Sequence, residues 1–215
     1  MTITLNISIF KLEVSFNLTF STYMSKGNYL TDIIRAPKTV LTINDISLIW
    51  NDSNSKAIKS RLSYYVKNKD LVRIRRGIYA KNQEYNKWEL ATRIFTPSYI
   101  SFETILAKEG VIFQYQTKIQ LASYLSREVE VDGQIYSYKK LKDTIITDSV
   151  GIENVNEMST ASKERAFLDI LYVNNNYHFD NLRSLNWDKV MTILPIYNNK
   201  RMSKIVAQLY KQSKI

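Results

Sequence analysis

The sequence predicts an α+β protein of two units: a helical N-terminal unit closed by a β-hairpin, and a mixed α+β C-terminal unit. Three observations carry this. Apolar residues recur at helical spacing between residues 28 and 67, then switch to alternation over "DLVRIRRGIYA". Positive charge is concentrated in that same stretch: residues 35–81 hold eleven Lys/Arg against three acids, while residues 82–215 hold seventeen against fifteen. Beyond residue 82, apolar helical runs mix with alternating strands that include an Asp132-Gly133 hairpin signal. The expected division is an extension over 1–23, a first unit over 24–82 and a second over 83–215.

The first twenty residues, "MTITLNISIFKLEVSFNLTF", alternate apolar and polar with a phase slip near Phe10, which suggests a bulge or two strands. They lack the positive n-region and unbroken apolar run of a signal peptide, and Asn6, Lys11, Glu13 and Asn17 exclude a membrane span. Met24 is an equally good start, with this stretch lying upstream of the domain.

"NYLTDIIRA" reads as a short helix stopped by Pro37, whose predecessor is pushed to extended geometry. In "VLTINDISLIW" a brief extended piece leads to Thr42 as N-cap and a helix with Ile43, Ile46, Ile49 and Trp50 on one side. "NDSNS" is a turn in which either Asn54 or Ser55 can cap the third helix, "KAIKSRLSYYVKNK". Ile58, Leu62, Tyr65 and Val66 give that helix a core face, and Lys56, Lys59, Ser60, Ser63 and Lys67 occupy the opposite one. The hairpin that follows turns at Arg76-Gly77, where a tight turn calls for positive φ. Two-residue spacing puts Arg73 and Arg75 on one strand face, turns Val72 and Ile74 towards the helices, and leaves Arg76 at the tip. Ile74 is thereby expected in a small core with Ile43, Ile46, Ile49, Trp50, Ile58, Leu62 and Tyr65, near the lower size limit for autonomous folding.

Three helices followed by a hairpin is the winged helix-turn-helix order, in which the third helix enters the major groove and the wing follows the flanking backbone. Charge confined to one short segment is what a phosphate backbone selects, because each neutralised phosphate releases counterions. The wing arginines can instead be a solvated, charge-protected edge. A winged-helix module that contacts a protein or RNA, its basic face serving solubility, is the alternative.

In the second unit "YNKWELATRIF" reads as a linking helix, and "TPSYISFETILAKEGV" as an extended piece leading into a helix with Phe102, Ile105 and Leu106 inward. Glu128, Glu130 and Asp132 line one face of a strand, expected to be solvated. "KERAFLDILYV", apolar over most of its circumference, is the expected central helix, and "DNLRSLNWDKVMTIL" and "NNKRMSKIVAQLYKQ" complete the chain as helices. Without cysteine there is neither a disulfide nor a thiolate site. The single histidine, His178, lies in a turn-like stretch beside no serine elbow, and the five glycines are isolated rather than clustered into a phosphate loop. The expectation is a non-enzyme without cofactor or metal.

"LVRIRRGIYA", "PSYISFETILAKEGV" and "STASKERAFLDILY", taken in order, resemble the AbiEi-type antitoxins of bacterial abortive-infection (type IV) toxin–antitoxin pairs, over about residues 25–210. The resemblance implies a bacterial cytoplasmic repressor whose N-terminal domain binds operator DNA and whose C-terminal domain counters a nucleotidyltransferase-like toxin. The DNA role then maps onto Lys56, Lys59, Ser60, Ser63, Lys67, Arg73, Arg75 and Arg76. The N-terminal strand-like segment and the nearly charge-balanced second unit depart from the family pattern. Glu164 and Arg165 are expected to hold the second domain together.

Overall fold

The computed structural model describes residues 28–155 and 158–214, so the expectations for residues 1–23 lie outside the described part. The protein is mixed α+β with two sheets. Helix α1 (Tyr29–Arg35) ends at Ala36, whose ψ of 143° is the extended geometry that Pro37 imposes. Strand β1 (Val40–Thr42) runs into α2 (Ile43–Trp50) through a capping box. Thr42 Oγ1 accepts from the Asp45 amide at 3.2 Å, and Asp45 Oδ2 accepts from the Thr42 amide at 2.8 Å. Lys38 Nζ lies 2.7 Å from the other Asp45 oxygen. Asn54, not Ser55, caps α3 (Ser55–Lys67), accepting from the amides of Lys56 and Ala57.

Burial pushes the Asp45 carboxyl up, but its hydrogen bonds from Lys38 and Thr42 win and hold it below the ordinary value of 3.8. Asp45→Ala is expected to cost about 1 kcal/mol at neutral pH, the usual worth of a cap. Because the folded-state pKa is depressed, this contribution is full above 3.8 and fades as pH falls through the folded value. Urea unfolding at pH 7 and pH 3 checks it: the gap between variant and wild type should narrow in acid.

Strands β2 (Val72–Arg75) and β3 (Ile78–Ala80) complete an antiparallel sheet in the order β1-β3-β2. Its two faces bury different cores. Leu41 and Tyr79 pack with Ile33, Ile46, Trp50, Ile58, Leu62 and Leu71 of the helical side. Val40, Ile78 and Ala80 join the core of the second unit. Ile74 departs from expectation: it packs on the second core, as does Val72. Val72 pairs with Ala80, whose side chain belongs to that core, and alternation puts Ile74 on the same face. A register shift follows, since Arg73 pairs with Tyr79 but Arg75 pairs with Ile78, leaving Ile74 as an extra residue. A piece cut at residue 82 would bare Val40, Ile78 and Ala80.

The junction is polar as well as apolar. Asn86 caps α4 (Lys87–Ile94), and that helix places buried Glu89 where its Oε2 accepts from the Thr39 amide and hydroxyl at 2.9 and 2.6 Å. Tyr85 donates to Asp132 at 2.5 Å, a second tie across the seam.

The larger sheet contains β4 (Ser98–Ile100), β5 (Ile119–Ser123), β6 (Arg127–Val131), β7 (Gln134–Lys140), β8 (Ile152–Val155) and β9 (Met158–Ala161), in the order β6-β7-β5-β4-β9-β8. The β5–β7 and β4–β9 pairs are parallel and the others antiparallel. The β6–β7 hairpin turns at Asp132-Gly133, as that dipeptide predicts. Helices α5 (Phe102–Lys108), α6 (Asp143–Ile146), α7 (Lys163–Val173), α8 (Trp187–Ile193) and α9 (Lys200–Gln212) complete the unit. α7 is its centre, buried without interruption from Glu164 to Leu171.

Two charges lie inside it. Arg165 Nε and Asp169 Oδ1, one turn apart and fully buried, are 3.4 Å from each other. Asp169 accepts from Ser101 at 2.6 Å, Tyr197 at 2.6 Å and Tyr99 at 3.2 Å. Arg165 donates to the carbonyls of Ile145 at 2.6 Å and Val150 at 2.7 Å, and to the Tyr99 hydroxyl at 3.1 Å. Gly151, next to Val150, has φ of +75°, and a Cβ there would meet Ile193 at 2.8 Å and Arg165 at 3.0 Å. Only glycine lets the chain come this close to the arginine. Glu164, 2% exposed, accepts from the Asn186 amide at 3.1 Å at the start of α8.

Candidate nucleic-acid interface

Helix α3 sorts its residues by face. Ile58 and Leu62 are buried and Tyr65 and Val66 half-buried, whereas Lys56, Lys59, Ser60, Ser63 and Lys67 are all exposed. The helix is held from its sides. Arg61 Nη1 meets Asp52 Oδ2 at 2.6 Å, and its guanidinium carbon sits 4.1 Å from the centre of the Tyr29 ring, tying α3 to α1. Trp50 donates to the Tyr29 carbonyl at 2.8 Å. The exposed stripe therefore stands on a packed support.

Several of the eleven cations in residues 35–81 serve this support rather than solvent. Lys38 holds Asp45, Arg61 holds Asp52, and Lys81 donates to the carbonyls of Ile34 and Ala36 at the end of α1. Arg35, Lys56, Lys59, Lys67, Lys69, Arg73 and Arg76 remain exposed. At the hairpin tip Gly77 has φ of +82°, and its carbonyl accepts from the Ile43 amide at 3.1 Å, which pins the turn to the start of α2.

The hairpin arginines do not share a face. The shift at Ile74 puts Arg73 on the Tyr79 side, exposed, and Arg75 on the Ile78 side, half-buried. Arg75 Nη1 is shielded from solvent without a hydrogen-bond partner, and its charge acts on the Tyr138 hydroxyl of the second unit. Arg75 faces the junction between the units.

Two features escaped sequence reasoning. Tyr64, 61% exposed, flanks the Lys/Ser stripe; the spacing that puts Tyr65 on the core face is the signal that turns Tyr64 outward. On α9, Lys200, Arg201, Lys204 and Lys211 are exposed opposite buried Met202 and Val206. Averaging over the whole second unit hid them: residues 82–197 sum to −3, while 198–215 carry five cations and no acid.

Among the described residues, no group of three or more His, Asp or Glu could hold a metal ion, and no helix is long and apolar enough to cross a membrane. His178 is 87% exposed, 4.0 Å from Asp180. Glu128 pairs with Lys118 at 2.7 Å on the exposed edge of the large sheet. Set against known proteins, the sequence matches no family model and no curated protein.

Proposed function

We propose that this protein is a DNA-binding repressor and antitoxin, reading its own operator with a winged helix-turn-helix unit and countering a nucleotidyltransferase-like toxin. One observation carries the DNA part: α3 exposes three lysines and two serines along one face without an acid, on a helix fixed by Arg61, Trp50 and the Asn54 cap. Side chains of this kind suit a major groove, where lysine and hydroxyl groups meet base edges and phosphates. The element order, three helices with a short strand between the first two and a hairpin after the third, supports the winged-helix reading. The antitoxin part rests on the resemblance of the three stretches quoted above. Two of them, "PSYISFETILAKEGV" and "STASKERAFLDILY", supply Tyr99, Ser101, Arg165 and Asp169 of one buried network.

Helix and wing contribute differently. Ser60→Ala should lower discrimination between the upstream duplex and a scrambled one by about 1–3 kcal/mol if a base contact is lost. Arg73→Ala and Arg76→Ala should weaken both duplexes alike, each flattening the log K against log salt slope by about 0.9. Arg75→Ala should leave that slope unchanged, because its side chain faces the second unit. Electrophoretic shift across a salt series on both duplexes measures all three. A wild type that shifts neither duplex refutes the DNA reading and leaves a protein- or RNA-contacting module.

A further inference from the structure

The second unit carries an open groove of about 820 Å³ between the start of α4, α5 and the loop 112–118. Its volume falls in the range of about 300–1,000 Å³ typical of small-molecule sites. Three aromatic residues line it: Trp88 from α4, and Phe113 and Tyr115 from the loop. Phe113 is 73% exposed and Tyr115 90%, and neither ring packs against another among the described residues.

This exposure is imposed by the fold. Buried Val111 and Ile112 root the loop, the Val111 carbonyl accepts from the amides of Asp180 and Asn181, and the Phe113 amide donates to Asp180 at 2.8 Å. At the far end Gln134 Nε2 donates to the Thr117 carbonyl at 2.8 Å. A loop tied at both ends holds its rings out to solvent.

The lining contains Lys87 and Lys118 and no carboxylate; Lys118 is paired with Glu128 at 2.7 Å, whereas Lys87 is exposed. A third lysine, Lys108, lies over the Trp88 ring at 5.2 Å. Amines beside free π-faces form the chemistry that holds unpaired nucleotides: cations track the phosphates and rings take the bases. In a duplex the base faces are already stacked, so these rings would find no partner.

We propose that this groove binds unpaired nucleotides, with Phe113 and Tyr115 stacking on bases and Lys87 meeting phosphate, at a site separate from α3. Fluorescence anisotropy of the full chain with a labelled oligouridylate of about twelve nucleotides, and competition by uridine monophosphate, test it. The oligonucleotide should bind, and the double variant Phe113→Ala, Tyr115→Ala should weaken it tenfold or more. Both residues are exposed, so folding should persist, as circular dichroism would verify. The variant Lys56→Ala, Lys59→Ala, Lys67→Ala should leave oligonucleotide binding unchanged, which separates this site from the duplex-binding face. Competition by the mononucleotide would mark a single-base site, and its failure a site that needs a strand. Absence of oligonucleotide binding, insensitivity to the double aromatic variant, or loss with the α3 variant would each overturn the proposal, as would binding of polyglutamate where oligouridylate fails.

Discussion

Arg165→Met is expected to destabilise the protein by about 3–5 kcal/mol, the range for removing one partner of a buried ion pair. That is a large part of the roughly 5–15 kcal/mol holding a typical protein folded. The loss has two sources. Asp169, fully buried, would keep its hydrogen bonds from Ser101, Tyr99 and Tyr197 but lose its only neighbouring cation in the network. The carbonyls of Ile145 and Val150 would lose their donor. Burial already pushes the Asp169 carboxyl above its ordinary value, against the opposing pull of Arg165 and the hydroxyls. Without the arginine it should rise further. A carboxyl with a raised native pKa takes up a proton that the unfolded chain releases near 3.8, so acidification favours the native state at this site. The deficit should therefore be largest at neutral pH and shrink towards pH 5. Adding Asp169→Leu should recover part of the stability by removing the stranded charge, but not all, since the hydroxyls and carbonyls remain unmatched. Denaturant unfolding of the two variants at pH 7 and pH 5 gives the comparison. An Arg165→Met protein as stable as wild type would mean that the network contributes nothing net.

The second large effect concerns DNA. Replacing Lys56, Lys59 and Lys67 together by alanine should flatten the salt slope on duplex DNA by about 2.7, at about 0.9 per phosphate contact. Taking the electrostatic contribution as negligible near 1 M salt, this is a loss of roughly 500-fold at about 0.1 M. All three side chains are exposed on one helix face, and the core residues beneath are untouched, so the fold should survive. Filter binding or anisotropy from about 50 mM to 500 mM salt decides it. An unchanged slope would make the stripe a solvated face and move any duplex site elsewhere.

Much of the architecture can be read locally because its causes are local. Pro37 stops α1, Thr42 and Asn54 start helices with their own side chains, and Asp132-Gly133 turns a hairpin. Each acts within about four residues. What could not be read depends on pairing. The extra residue at Ile74 is invisible to a period of two, because alternation continues through it, and only the register with β3 separates Arg73 from Arg75. The seam between the units did leave a trace. Val40-Leu41 and Ile78-Tyr79-Ala80 are runs of consecutive apolar residues, as expected of strands covered on both faces. The parallel β5–β7 and β4–β9 pairs join segments distant in the chain, which no local pattern specifies. For the candidate site, the lysine stripe follows from helical geometry alone. The rings of Phe113 and Tyr115 sit in an irregular loop, where no periodicity tells inward from outward.

The small sheet, walled on one side by the helices and on the other by the second unit, sets how the two halves can communicate. A hinge needs a few residues that absorb backbone rotation between bodies with little shared interface. Here Val40 and Leu41, neighbours on one strand, belong to different cores. Tilting α3 against the second unit would open one wall or the other. Any message from a partner on the second unit to the helix face must then travel as strain within a shared slab. By linkage any such exchange is reciprocal: a partner that changes affinity at the helix face by some factor has its own affinity changed by the same factor when that face is filled.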